Sequence, residues 1–136
     1  MLTAGALLRA YYAALDAPRL EDLDRLLAAD CDWRFPGSRL VGAAQVRASM
    51  ERNLALGLRM DHRIGHLVDD GAVALCELEA TNTIPDATFV VSGAVVCETA
   101  DGRIVRLAAY PDAEQMRAFF EGLRSRALAL KAAGWS

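Results

Sequence analysis

A chain of 136 residues, 54% hydrophobic and 24% charged, has the length and composition of one globular domain with a substantial core. Its formal net charge of −3, with the single lysine Lys131 and scattered arginines, excludes a nucleic-acid surface built on clustered cations. No apolar run approaches the ~20 residues of a membrane span, and residues 1–15 lack the charge order and cleavage site of a signal peptide.

Residues 3–15 place Leu7, Leu8, Tyr11, Tyr12 and Leu15 at helical 3/4 spacing, which predicts an amphipathic helix. Ala17-Pro18 interrupts it, and Pro18 suits the first position of a second helix carrying Leu20, Leu23 and Leu27 on one side. Asp30 to Phe35 is short and aromatic, and Pro36-Gly37-Ser38 turns it back. After Gly42, the spacing of Val46, Met50 and Leu54 predicts a third helix ending near Gly57. The period then switches to two, giving strands at about 59–68, 73–83, 88–98 and 103–111. Asp69-Asp70-Gly71, Pro85-Asp86 and Asp101-Gly102 supply the turns between them.

Asp112 is placed to cap a last helix over about 113–132, with Gln115 completing a capping-box pattern. Met116, Phe119, Phe120 and Leu123 form its apolar face. Helices followed by an antiparallel meander make one α+β domain spanning residues 1–136. Cys31, Cys76 and Cys97 are odd in number and form no C-x-x-C pair, which fits a reducing, cytoplasmic setting better than a disulfide scaffold. With only two histidines, His62 and His66, no metal site is expected.

Tyr-Tyr-Ala-Ala-Leu-Asp at 11–16, Leu-Leu-Ala-Ala-Asp at 26–30, Trp33 to Gly37 and Gly42 resemble the opening of the SnoaL-like family. Asp-Gly-Arg-Ile-Val at 101–105, with Tyr110-Pro111-Asp112, is similar to its closing hairpin. The resemblance spans roughly residues 5–115. It implies the cone-shaped fold of the nuclear transport factor 2-like superfamily, a curved antiparallel sheet wrapped around N-terminal helices, and frequent homodimers. It implies no single reaction, because the fold hosts isomerases, cyclases, epoxide hydrolases, dehydratases and non-catalytic modules.

Closing each hairpin at its turn sets His62 opposite Glu79, Ile64 opposite Glu77, Glu79 opposite Ser92 and Ser92 opposite Ala109. One face then carries His62, Ile64, Glu77, Glu79, Ser92, Ala94, Val96, Leu107 and Ala109. The other carries Ala74, Cys76, Leu78, Ala80, Phe89, Val91, Val95, Cys97 and Ala108. Periodicity buries the second face, which has fewer charges. The resemblance points to the first, because Ala94 and Ala109 match positions of inward catalytic aspartates in ketosteroid isomerases and limonene epoxide hydrolases. A one-residue register shift exchanges the two faces.

With the first face inward, His62 opposite Glu79 is an oriented base, and Glu77, about 7 Å from Glu79, is a candidate acid. The bland alternative is a wet face with ordinary cross-strand ion pairs. Tyr11 matches the carbonyl-polarising tyrosine of ketosteroid isomerases, although a tyrosine on an apolar helix face also serves as core. Trp33, Phe35, Met50, Leu54, Ser92, Ala94, Leu107 and Ala109 are expected to line the pocket. Asn53 and Asn82 offer an amide contact there, with exposed loop or helix positions as the bland and preferred reading.

The isomerase base position falls on Phe35 and its second acid on Ala94. The hydrolase's arginine and two aspartates fall on Glu77, Glu79 and Ala109, so neither mechanism carries over. The expectation is a cofactor-independent cyclase, isomerase or dehydratase (a lyase) acting on a hydrophobic, cyclic or polyketide-like small molecule. The alternative is a non-catalytic binding or dimerisation module of the same fold. The second-face row of Cys76, Leu78, Phe89, Val91 and Val95 would then lie outside and mediate a homodimer.

Overall fold

The first helix, α1 (Ala4–Asp16), opens where the Thr3 hydroxyl accepts a hydrogen bond from the Ala6 amide in a computed structural model that describes residues 2–134. Its predicted apolar face, from Leu7 to Leu15, is buried. The second helix is far shorter than its leucine spacing predicts. A 3-10 turn at Leu20–Asp22 leads into the four-residue α2 (Leu23–Leu26), and Leu27 already begins strand β1 (Leu27–Phe35). Pairing of Leu27 with Ile104 on another strand overrides the local helical signal.

Strand β2 (Ser38–Val41) returns to Gly42, whose φ of 90° and close approach to the Ala29 carbonyl admit no side chain. Helix α3 (Ala43–Ala55) starts there. Four long strands follow: β3 (Arg59–Asp69), β4 (Val73–Ile84), β5 (Ala87–Ala100) and β6 (Arg103–Pro111). They form the expected antiparallel meander.

The sheet is nevertheless mixed, because β1 runs parallel beside β6, giving the order β2-β1-β6-β5-β4-β3 in a curved, unclosed sheet. The last helix, α4 (Ala113–Ala132), has the expected cap, with Asp112 accepting from the Gln115 amide at 2.9 Å. The reciprocal half of the capping box is absent: the Gln115 side chain instead accepts from the Ser92 amide at 2.8 Å, tying α4 to β5. No helix among the described residues is long and apolar enough to cross a membrane.

Two of the three hairpin registers differ from the sequence expectation, and the difference exchanges the faces of β4 and β5 relative to β3 and β6. The β4–β5 pairing is as expected, with Glu77 opposite Ala94 and Glu79 opposite Ser92. In β3–β4, Asp69 pairs with Ala74, and an irregularity between Ile64 and Leu67 absorbs a residue, so His62 lies opposite Ala80 rather than Glu79. In β5–β6, Ala109 lies opposite Val95, not Ser92, with a second irregularity at Glu98/Thr99. His62 therefore shares a face with Leu78, Ala80 and Val95, and this is the face the helices cover.

Glu77 and Glu79 stand exposed on the opposite face, not inside the cone. The row expected to lie outside and mediate dimerisation is interior: Cys76, Val91 and Val95 are buried, and Leu78 packs against the core. Phe89 packs with the second cluster beneath α4. The exposed face instead presents Val68, Leu75 and Tyr110 beside the two glutamates.

Two apolar clusters frame the interior. The larger joins α1, the α2 region, α3 and the inner face of the sheet around Leu8, Leu23, Cys31, Val46 and Leu107. The smaller joins Leu58, Ile84 and Val91 to Met116, Phe119 and Leu123 of α4. α4 thus closes the end of the cone that α1 leaves open.

Candidate active site

A cavity of about 160 Å3 lies between these clusters. Tyr11, Tyr12 and Leu15 of α1 form one wall, and Trp33 and Phe35 of β1 another. His62, Leu78, Ala80, Asn82, Val91 and Val95 supply the sheet side, while Met116, Phe119 and Phe120 close it from α4. The Trp33 and Phe35 rings stack at 4.6 Å between centroids, making one flat aromatic wall.

His62 is the one imidazole on the wall. Its side chain is 7% exposed, and its Nδ1 lies 2.6 Å from Asp16 Oδ1. The second Asp16 oxygen accepts from the His62 backbone amide at 2.8 Å. One carboxylate thereby fixes both the ring and the strand that carries it. With a carboxylate as partner, Nδ1 carries the hydrogen and Nε2 keeps its lone pair, the tautomer of a general base. The Tyr12 ring packs against the imidazole at 4.4 Å between centroids and completes its seat.

The adjacent tyrosines differ in their hydroxyls. Tyr11 Oη accepts from the Trp33 indole N–H at 3.0 Å and so ties α1 to the aromatic wall. Tyr12 Oη, also buried, has no hydrogen-bond partner, and it is the one such side-chain atom found among the described residues. Burial pushes both phenols above the ordinary tyrosine value, so both stay neutral donors at physiological pH. Burial likewise pushes the thiol of Cys31 up to about 11 and that of Cys97 to about 12, leaving them inert in the core.

Of the residues expected to carry chemistry, the structure brings His62 and Tyr11 to the cavity. Glu77 and Glu79 border a shallow groove on the outer face, where Glu77 meets the exposed His66. Of the expected lining, Trp33, Phe35, Met50, Ser92, Ala94 and Ala109 border the cavity. Leu54 packs behind it, and Leu107 is fully buried in the larger cluster.

Asn82, expected to be exposed, is 4% exposed and lines the cavity, as does half-buried Asn53. The Asn82 amide nitrogen makes only long bonds, 3.4 Å each, to the Ala80 and Phe89 carbonyls. Sequence reasoning also missed Asp16. The signal was present: Asp16 follows Tyr12 by one helical turn, which puts a carboxylate on the buried face of α1.

The sequence profile of the SnoaL-like domain matches residues 8–107. Among solved structures, an M. tuberculosis LEH-like epoxide hydrolase is 25% identical, with a TM-score of 0.74 and 93% of each chain covered. A candidate polyketide cyclase of Pseudomonas putida KT2440 is 25% identical with a TM-score of 0.70, over 85% of this chain and 96% of that one. A candidate ketosteroid isomerase of Kribbella flavida DSM 17836 shares the fold at 24% identity and a TM-score of 0.63, over 79% and 76%. No curated protein matches significantly. The profile ends before α4, so Met116, Phe119 and Phe120 close this cavity from outside the matched region.

Proposed function

This chain belongs to the SnoaL-like domain family, and on that premise we propose that it is a cofactor-independent acid–base enzyme acting on a compact, hydrophobic, cyclic small molecule. The reading rests on one observation, the His62–Asp16 pair on the cavity wall. His62 Nε2 is the base. Asp16 holds the tautomer and stabilises the imidazolium once the proton has arrived, as a carboxylate behind a catalytic histidine does elsewhere. Isomerisation through an enolate, aldol-type cyclisation and β-elimination of water can each begin with such a proton abstraction. The glutamates on the outer face take no part. We further propose a homodimer through the exposed face of Val68, Leu75 and Tyr110, for which sedimentation should give twice the 14.7 kDa chain mass.

The test needs no knowledge of the natural substrate. Cyclohexanone in D2O exchanges its α-protons when a positioned base removes them: the C–H bond breaks, His62 takes the proton, and a deuteron returns from the solvent-exchanged imidazolium. Mass spectrometry should show protein-dependent deuteration that disappears in His62→Ala. Ketone binding without exchange, unaffected by loss of His62, would instead identify a binding module.

A further inference from the structure

The unpartnered hydroxyl of Tyr12 is the anomaly of this interior. Buried hydroxyls find partners as a rule, since burial without one forfeits the bonds that water would supply. The neighbouring Tyr11 obeys the rule through Trp33, but Tyr12, 4% exposed and lining the cavity, does not. Its ring lies against His62, and both residues border the same cavity.

Size limits what that can be. The cavity volume of about 160 Å3 is close to the ~150 Å3 of an engineered protein cavity that holds benzene, and far below what a fused polycycle requires. The flat Trp33–Phe35 wall suits a ring, and the remaining sheet wall is largely aliphatic.

We propose that the cavity takes a single-ring molecule carrying an oxygen acceptor, and that the Tyr12 hydroxyl is the donor that holds this oxygen. The proposal deepens and rests on the acid–base reading, in that the ring so held presents its adjacent C–H to His62. A carbonyl oxygen bound to Tyr12 gains negative character as that proton leaves, and a donor fixed in a dry site stabilises it. Burial keeps the phenol protonated and hence a donor throughout.

The experiment compares cyclohexanone with methylenecyclohexane, which has the same shape and no oxygen, by ligand-observed NMR titration. Wild type should bind the ketone about tenfold more tightly, the worth of one hydrogen bond in a dry site. Tyr12→Phe should abolish that preference and leave the thermal midpoint unchanged or higher, because a partnerless hydroxyl is removed. Tyr11→Phe should keep the preference. Ala80→Leu, which fills the cavity beside His62, should exclude both probes.

The proposal is overturned if the preference survives in Tyr12→Phe, if it is lost in Tyr11→Phe instead, or if neither probe binds. A marked drop in the Tyr12→Phe midpoint also overturns it, since the hydroxyl would then serve the fold. Deuterium exchange separates the two readings. Preference lost in Tyr12→Phe without exchange in wild type leaves the Tyr12 assignment standing and ends the acid–base one. Exchange lost in His62→Ala, with Tyr12→Phe indistinguishable from wild type, does the reverse.

Discussion

Strand β3 carries both histidines of the chain, each against a carboxylate through Nδ1, in opposite surroundings. His62 meets Asp16 at 2.6 Å with 7% of its side chain exposed, while His66 meets Glu77 at 2.5 Å with 95% exposed. The irregularity between Ile64 and Leu67 separates them, so positions four apart, which strict alternation would put on one face, fall inside and outside the cone. Pair geometry is nearly identical. Burial makes the difference: the inner carboxylate acts through a low-dielectric interior, whereas the outer pair is screened by water.

The largest expected effect breaks this comparison most directly. His62→Ala should lower cyclohexanone deuteration by about 10²–10⁴-fold, the usual worth of a positioned base, and His66→Ala should leave it unchanged. Equal losses in both variants would mean that the inner pair is not the base. Asp16→Asn should follow with a loss on the order of 10²-fold, since the ring and the backbone N–H of His62 bond different carboxylate oxygens, and the amide turns an NH2 towards one of these two donors. The same substitution should cost about 1–3 kcal/mol of stability by leaving a buried donor unsatisfied, measurable by urea unfolding.

How much of this was legible beforehand follows from where the signals lie. The apolar faces of α1, α3 and α4, the turn positions and the β4–β5 register could be read because each depends on local spacing, whereas the leucine spacing after Pro18 ran a helix into what is strand β1. The inside of the sheet could not be read from the turns. In β3–β4 the turn closes two residues from the expected register, with Val68 opposite Leu75, and the irregularity then shifts the pairing by one, which moves His62 to the face of Ala80. In β5–β6 the irregularity at Glu98/Thr99 likewise adds the one residue that moves Ala109 to the face of Val95. The charge count of the two faces was the better guide: a face holding Glu77 and Glu79 belongs in water unless both are paired. The parallel pairing of β1 with β6 joins segments more than seventy residues apart, and no local pattern announces it.

A third prediction sharpens the contrast by asking how dry the interior is. Cys31, Cys97, Tyr11 and Tyr12 all have folded-state values raised by burial above the ordinary 9.0 and 10.0. As pH rises, the unfolded chain therefore releases these protons first and binds fewer than the native state does. Stability is fully present below about pH 9 and should fall as pH climbs from there towards 12. Urea midpoints measured from pH 7 to 10.5 would show the decline. Replacing Cys31 and Cys97 by Ala should make its first part shallower, leaving the share that Cys76, also raised by burial, contributes. A midpoint that stayed constant to pH 10.5 would mean that water reaches these groups.

The smallest expected effect concerns the outer pair. The Glu77 and His66 side chains are 70% and 95% exposed, so their contact competes with water on all sides, and holding two mobile side chains together costs rotamer entropy. Salt at physiological strength screens charges beyond about 8 Å, which removes any reach this pair would have through the sheet to the cavity. Glu77→Gln should therefore change stability by less than about 0.5 kcal/mol and leave ketone exchange at the wild-type rate. Glu79→Gln should behave in the same way, because Glu79 lies beside Arg63 and Ser92 on the water-facing side. A tenfold loss of exchange in either variant, with the fold intact by circular dichroism, would show that the outer groove and the cavity act as one site. The shared border residues Leu78, Ser92, Gly93, Ala94 and Pro111 would then be the place to look for the connection.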